Sequence, residues 1–165
     1  MELKAEKMQI EDIPAVAVLE QLCFAEPWSE KALEESLQNP DYVFFVVRCE
    51  DTSMLSEGIG ESDKNAYGEV AGYVGAYQAA DELSITNIAV FPERRRCGAG
   101  NLLLKVLDEL AQERRLYGIT LEVRVSNSDA IALYEKNGYE KSGIRKGFYS
   151  KPKEDALIMW KYFQQ

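Results

Sequence analysis

The chain has 165 residues, of which 46% are hydrophobic and 28% charged, a balance typical of one soluble globular domain and not of a disordered or fibrous chain. Its formal net charge of −9 disfavours duplex nucleic acid or an anionic membrane as the main partner and favours a cationic one. The chain contains no histidine, which excludes histidine-based catalytic triads and dyads and every metal site with a histidine ligand.

The N-terminal segment does not have the basic and then apolar order of a signal peptide, and no apolar run in the chain reaches membrane-spanning length. The three cysteines, Cys23, Cys49 and Cys97, lack metal-ligand spacing and are expected to be free thiols of a reducing compartment. The sequence therefore predicts a cytoplasmic protein with no bound metal. No feature of the sequence indicates an oligomeric state.

Strand and helix signals alternate along the chain without an internal repeat or linker, which predicts one mixed α/β domain over residues 1–165. The acidic stretch 50–67 carries Ser and Gly but no periodicity, and it is predicted to be a flexible hairpin insertion. In chain order, the patterns predict a strand at 3–8, helices at 11–22 and 29–38, strands at 42–49, 68–77 and 83–90, a helix at 98–115, a strand at 119–125, a helix at 128–136, and strands at 139–144 and 156–163 around a Gly/Pro-containing loop.

The segment Arg95–Gly100 joins a predicted strand to the long predicted helix and has the form Arg-x-x-Gly-x-Gly. Free N–H groups and the positive end of the dipole at a helix start bind anions, and Arg95 and Arg96 add positive charge. The string alone is a weak signal that an ordinary glycine-rich helix start also fits, and it matches neither a Walker loop nor the dinucleotide fingerprint. It indicates a site for another phosphate-bearing ligand.

Two residues are candidates for acid–base chemistry. Glu122 lies on a predicted strand and leaves the sheet on the face opposite Leu121 and Val123. From the pattern alone, a solvated strand carboxylate is the better interpretation of Glu122. Tyr134 lies in a short predicted helix, where the pattern alone favours a half-buried core aromatic.

Three motifs together change that balance: Arg-x-x-Gly-x-Gly at a strand-to-helix junction, Leu-Glu-Val-Arg on the next strand, and Asn-x-x-Ala-x-x-Leu-Tyr-x-x-x-Gly-Tyr over Asn127–Tyr139. In this combination the chain closely resembles the GNAT acetyltransferases, and among them the RimI-type enzymes that acetylate ribosomal-protein alanine. The likeness spans nearly the whole chain and is strongest over Ser84–Trp160. It implies a mostly antiparallel central sheet with splayed strands, flanked by helices, and acetyl-CoA as co-substrate.

The resemblance also implies roles for individual residues. Glu122 matches the general base of the family and Tyr134 its general acid, while Asn127 would contact the cofactor where two strands splay. The pantetheine arm would be bound through the backbone of Ile88, Ala89 and Val90, and the pyrophosphate by Arg95, Arg96, Cys97, Gly98, Ala99, Gly100 and Asn101.

The implied reaction is direct attack by the α-amino group of an N-terminal alanine of a small-subunit ribosomal protein on acetyl-CoA. Acceptors that stay open are another protein N-terminus, a lysine or a polyamine. A module that binds acyl-CoA without turnover and a nucleotide-dependent enzyme are further alternatives. The sequence departs from the family pattern in the length of 50–67 and in Phe148, which stands beside Tyr149 where a second tyrosine is common.

Overall fold

A computed structural model describes residues 2–49 and 70–163 of the chain. The predicted insertion at 50–67 lies outside the described residues. Short 3₁₀ turns at Ile10–Asp12 and Pro92–Arg94 precede the first and third helices. The elements are β1 (Leu3–Lys7), α1 (Ile13–Cys23), α2 (Glu30–Leu37), β2 (Tyr42–Cys49), β3 (Val70–Ala79), β4 (Glu82–Val90), α3 (Ala99–Glu113), β5 (Gly118–Arg124), α4 (Ser128–Lys136), β6 (Glu140–Ser150) and β7 (Lys153–Tyr162).

The seven strands form one sheet in the order β1-β2-β3-β4-β5-β7-β6. Among the strands of the described residues, β4 and β5 run parallel and every other neighbouring pair is antiparallel. This arrangement confirms the mixed, mostly antiparallel sheet that the sequence led us to expect. No helix among residues 2–49 and 70–163 combines the length and the apolar composition needed to cross a bilayer.

Helices cover the two faces of the sheet separately. The apolar sides of α3 and α4 pack on one face in a cluster that includes Leu103, Leu107 and Tyr134. On the other face, α1 and α2 pack over β2 and β3 through Val16, Leu19 and other apolar residues. The two helices are well delimited by their sequence: Pro14 occupies the first turn of α1, and the Ser29 hydroxyl caps α2 by accepting from the Ala32 amide at 3.1 Å.

The last two strands differ from their predicted bounds. The sequence predicts a loop between 144 and 156, but β6 extends to Ser150 and β7 begins at Lys153. The pairing continues through a bulge at residues 146–148. Between Arg145 and Tyr149, three residues of β6 lie opposite one residue of β7. Gly147 adopts a φ of +64° in this bulge, and its amide donates to the Asp155 carboxylate at 2.8 Å.

The two parallel strands separate soon after they meet. Pairing between β4 and β5 is confined to Glu82–Ser84 against Gly118–Thr120, although both strands continue beyond it. Thr86 of β4 forms a bulge opposite the Gly75–Ala76 step of β3, and its hydroxyl donates to the Gly75 carbonyl at 3.0 Å. Beyond this bulge, β4 stays with β3 and β5 stays with β7. A gap therefore opens in the middle of the sheet, with unpaired strand edges on both sides.

Candidate active site

The gap between β4 and β5 opens into a pocket of about 880 Å³. A pocket of this size lies within the range of small-molecule and cofactor sites. Its walls come from five segments: 84–88 of β4, 121–124 of β5, Asn127 with Ala130 and Tyr134 around α4, the connection between α1 and α2 with Cys23, and residues 148–152 of the β6–β7 hairpin. Four residues predicted for the site, Ile88, Glu122, Asn127 and Tyr134, thus line one cavity.

The edge of β4 offers backbone groups to this pocket. The Phe91 amide donates to the Ala71 carbonyl of β3 at 2.8 Å, and in an antiparallel ladder successive residues direct their backbone groups to opposite sides. Ile88 and Val90 therefore direct theirs away from β3, towards the gap. The Val90 carbonyl accepts from Arg95 Nε at 3.3 Å, which agrees with this direction. Ala89 lies between them with its backbone directed at β3 and its side chain buried.

The start of α3 has a backbone geometry that suits an anion. Arg96 and Gly98 both have left-handed backbone conformations, with φ of +63° and +92°. Gly98 is the N-cap and has no side chain that could cap the helix. The first helical hydrogen bond runs from the Leu102 amide to the Gly98 carbonyl at 3.0 Å, so the amides before Leu102 in the first turn take no part in the helical bonding. A curled backbone with free N–H groups at a helix start suits phosphate oxygens.

Side chains of the same segment are directed differently. Arg95 folds back over β4 and the end of α1, where its Nη2 lies 3.6 Å from Cys23 Sγ. Arg96 is exposed beside the helix start. The Cys97 thiol donates to the Arg94 carbonyl at 2.6 Å, so it forms a hydrogen bond within the turn that precedes α3.

Asparagines lie at the ends of α3 and α4. Asn127 caps α4, because its Oδ1 accepts from the Ala130 amide at 3.2 Å, and its side-chain NH₂ has no partner among residues 2–49 and 70–163. Asn101 in the first turn of α3 accepts from Asn137 Nδ2 at 2.9 Å, which joins the beginning of α3 to the end of α4. The two helices come close at Gly100, where a Cβ would lie 3.0 Å from Leu133 Cδ2.

The Glu122 carboxylate occupies the β5 wall of the pocket. Its neighbours Leu121 and Val123 are buried in the core on the opposite face, which confirms the predicted alternation. The Glu122 side chain is 31% exposed, and its Oε1 lies 3.7 Å from Arg145 Nε of β6. The Glu122 carboxylate is therefore accessible to solvent and to a ligand in the pocket that could give it a proton.

Tyr134 faces the pocket from α4. Its side chain is buried, and this burial, followed by the influence of Tyr149, raises the pKa of the Tyr134 phenol above its ordinary value. Its ring packs edge-on against Tyr139 with 5.9 Å between centroids. Among the described residues the Tyr134 hydroxyl has no hydrogen-bond partner, so this neutral donor is left for a ligand.

Residues 148–152 of the β6–β7 hairpin form one wall of the pocket. The guanidinium of Arg124 lies 4.2 Å from the centroid of the Tyr149 ring and donates to the carbonyls of Lys151 and Pro152 at 2.8 and 2.9 Å. It also contacts Glu154, whose Oε2 accepts from the Ser126 amide at 2.7 Å. Arg124 belongs to the Leu-Glu-Val-Arg motif, which gave it no role, and Glu154 lies outside the three motifs. The contacts indicate that the two residues hold this hairpin against the end of β5.

Within residues 2–49 and 70–163, no three cysteine or carboxylate side chains are grouped so that they could hold a metal ion. The pocket instead combines an unpaired strand edge, one accessible carboxylate and one buried phenol, and residues 89–101, which lead from its β4 wall to the start of α3, do not line it. Such a site can bind an elongated phosphorylated cofactor and move a proton between an acceptor and a leaving group.

Comparison with known proteins identifies relatives of the whole chain. The sequence model described as "Acetyltransferase (GNAT) family" matches residues 13–139. The [ribosomal protein bS18]-alanine N-acetyltransferase of Escherichia coli strain K12 is 34% identical over 154 residues, which cover 92% of this chain and 92% of that protein. A Bacillus subtilis protein provisionally named for the same reaction is 38% identical over 154 residues, or 93% and 91% of the two chains.

A solved structure agrees with these relatives. The crystal structure of the ribosomal-protein-S18-alanine N-acetyltransferase from Escherichia coli superimposes with a TM-score of 0.79 at 31% identity, covering 99% of this chain and 96% of the other. The similarity therefore extends over nearly the whole chain, including the sheet and the helices on both of its faces.

Proposed function

Because the chain belongs to the GNAT family of acetyltransferases, we propose that it transfers the acetyl group of acetyl-CoA to the α-amino group of the N-terminal alanine of ribosomal protein bS18. The observation that carries this proposal is that relatives named for the reaction align over more than nine-tenths of both chains, the pocket included. The geometry supports the acetyl transfer, and the relatives support the choice of acceptor.

The donor would be held along the gap and at the helix start. Bound acetyl-CoA supplies an activated acetyl thioester. The backbone groups of Ile88 and Val90 are directed at the gap and would bind the pantetheine amides, as a neighbouring strand would. The turn through Gly98, with Arg96 beside it, would bind the pyrophosphate, while the free NH₂ of Asn127 would contact the arm of the cofactor from the other side of the gap.

Glu122 would act as the general base. An α-amino group has a pKa of about 7.7–8.0 and attacks only when neutral, so a modest base near the acceptor is sufficient. The accessible carboxylate on β5 would accept that proton, directly or through a water molecule. Since the amine attacks the thioester directly, no cysteine nucleophile is needed; Cys49 is buried, and Cys97 Sγ donates within its own turn.

Tyr134 would act as the general acid. Because burial raises the pKa of its phenol, the hydroxyl stays protonated across the physiological range. It would donate to the sulfur that leaves with the coenzyme. A module that only binds acyl-CoA needs neither an accessible carboxylate nor a protonated phenol at the same pocket, which is why the non-catalytic alternative is disfavoured.

The acceptor would approach from the side of the β6–β7 hairpin and the α1–α2 connection. A net charge of −9 favours a basic acceptor through the overall field, which suits a ribosomal protein. Ribosomal proteins are made and assembled in the bacterial cytoplasm, so the proposal places the reaction there. Another protein N-terminus, a lysine side chain and a polyamine are the competing acceptors.

The proposed acceptor is tested by acetylation assays with purified protein and acetyl-CoA. Three acceptors are compared at equal concentration: a peptide with the N-terminal alanine sequence of the organism's bS18, the same peptide with a blocked N-terminus and an internal lysine, and spermine. We expect transfer to the first peptide, on its α-amine, at a kcat/KM at least tenfold above the others. Preferred transfer to the blocked peptide or to spermine would replace this acceptor with one of its competitors.

A further inference from the structure

A second carboxylate, Glu20 of α1, is buried beside the pocket. Glu20 is fully buried, and no lysine or arginine within residues 2–49 and 70–163 forms an ion pair with its carboxylate. Burial raises the pKa of Glu20, and hydrogen bonds from Tyr73, Asn87 and Trp28 oppose that rise. A carboxylate kept inside a fold without a cation is costly, and such groups concentrate at functional sites.

All three partners of Glu20 are donors. The Tyr73 hydroxyl of β3 and Asn87 Nδ2 of β4 both donate to Oε1. The Trp28 backbone amide donates to Oε2 at 3.4 Å. Trp28 and Asn87 both line the pocket. One buried side chain thus joins the connection between α1 and α2 to the strand whose next residue, Ile88, directs its backbone into the gap.

The connection between α1 and α2 depends on its hydrogen bond to Glu20 more than β4 depends on the bond from Asn87 to Glu20. β4 is held along its length by the ladder to β3, including the pairs Tyr73 with Ala89 and Val74 with Ile88. At the connection, the flanking backbone bonds are from the Phe24 amide back to Glu20 and from the Leu33 amide to Ser29, and both lie outside residues 25–28. Within 25–28, the contact from the Trp28 amide to Glu20 Oε2 is the backbone hydrogen bond that the described residues provide.

We propose that Glu20 is a positioning residue for the acceptor: its carboxylate holds residues 25–28 as a wall of the acceptor side of the pocket. This inference rests on the proposed acetyl transfer to a peptide amine. The wall includes Glu26 and the Trp28 ring, which packs edge-on against Tyr42 and Phe44 at 6.1 and 6.4 Å between centroids. Glu20 itself touches neither substrate, so its effect passes through the Trp28 backbone.

The choice of variant follows from the three donors. Glu20→Gln keeps the shape of the side chain but has one oxygen, so it cannot accept from both Oε positions without reorienting its partners. Glu20→Met keeps a similar length and removes both acceptors. Tyr73→Phe removes a buried donor of the same network and leaves the bond to Trp28. Glu35→Gln, an exposed carboxylate on α2, is the matched control.

We expect Glu20→Gln to raise the KM for the alanine peptide about three- to tenfold, because one hydrogen bond to a charged group is lost. Glu20→Met should raise KM at least as much. The kcat at saturating peptide and the Kd for acetyl-CoA should stay within about twofold, since β4 keeps its ladder. Tyr73→Phe should lower thermal stability but leave the KM for the peptide unchanged, and Glu35→Gln should change neither. A KM at the parent value in both Glu20 variants would overturn the inference, even if their stability falls.

Hydrogen exchange separates this inference from the proposed function. The amide of Trp28 should exchange faster in Glu20→Gln than in the parent, whichever acceptor the enzyme uses, while the amides of β4 keep their protection. Faster exchange at Trp28 together with no activity on the alanine peptide would leave the positioning role standing and contradict the proposed acceptor. Unchanged exchange at Trp28 would contradict the positioning role itself.

Discussion

The guanidinium of Arg145 lies against the carboxylate of Glu122, with 3.7 Å between Nε and Oε1. The pair joins β6 to β5 at the pocket, and the two side chains are 58% and 31% exposed. A pair this exposed adds about 0–1 kcal/mol to stability. Arg145 places a positive charge beside the proposed base.

Glu122→Gln should keep acetyl-CoA binding and lower kcat about 100-fold or more, because the amide cannot accept the proton of the amine. The deficit should be largest at low pH, where more of the acceptor amine is protonated. The pH profile of kcat/KM for the alanine peptide measures this. Glu135→Gln, an exposed carboxylate on α4, is the matched control. An unchanged profile in Glu122→Gln would remove the general base from the account.

Tyr134→Phe should lower kcat by about 10-fold or more while the Kd for acetyl-CoA and the melting temperature stay close to those of the parent. Stability is retained because the hydroxyl has no hydrogen-bond partner among the described residues. Since the pKa of this phenol is raised above its ordinary value of 10, the parent should keep the proton on Tyr134 up to at least pH 10. Single-turnover rates compare the variant with Tyr117→Phe, an exposed tyrosine away from the pocket. Equal rates for both variants and the parent would exclude Tyr134 as the acid.

Gly98→Ala should weaken acetyl-CoA binding about tenfold or more. A Cβ at this position meets nothing within 4 Å, so the cost comes from the backbone, which has a φ of +92° at the N-cap of α3. A side chain at such a φ costs about 1 kcal/mol or more and turns the first amides away from the phosphate position. Calorimetric titration with acetyl-CoA measures it. Gly143→Ala is the control, because its Cβ would make only an ordinary contact of 3.9 Å with Ile158. Equal affinities in both variants would contradict a phosphate site at this helix start.

Glu154 should contribute to the acid sensitivity of the fold. Hydrogen bonds from Ser126 and then the charge of Arg124 lower the pKa of Glu154 below its ordinary value of 4.5. A depressed folded pKa means that the stabilisation is present above about pH 4.5 and is lost as the pH falls through the folded pKa. Melting temperatures between pH 3 and 7 should therefore differ between the parent and Glu154→Gln at neutral pH and converge in acid, with exposed Glu140→Gln as the control. A constant difference over this range would contradict the linkage.

Much of the site follows from local sequence rules. The alternation of Leu121, Glu122 and Val123 specifies the face of a strand, and glycine at 98 marks a left-handed N-cap. The extent of the β6–β7 hairpin could not be predicted from the sequence. The glycine and proline of this stretch indicate a loop, but a three-residue bulge around Gly147 lets the pairing continue. Arg95 was expected at the pyrophosphate, but whether a long side chain turns to the helix start or back over Val90 depends on tertiary contacts. Glu20 was missed, although a carboxylate beside Val16 and Leu19 on the apolar side of α1 was the available signal.

The most direct test of the account is mass spectrometry of bS18 from the native organism with and without the gene for this chain. The account predicts that bS18 from parent cells carries one acetyl group on its N-terminal alanine, that this group is lost when the gene is deleted, and that it returns with the parent gene but not with Glu122→Gln. Full acetylation of bS18 in the deletion strain would contradict it.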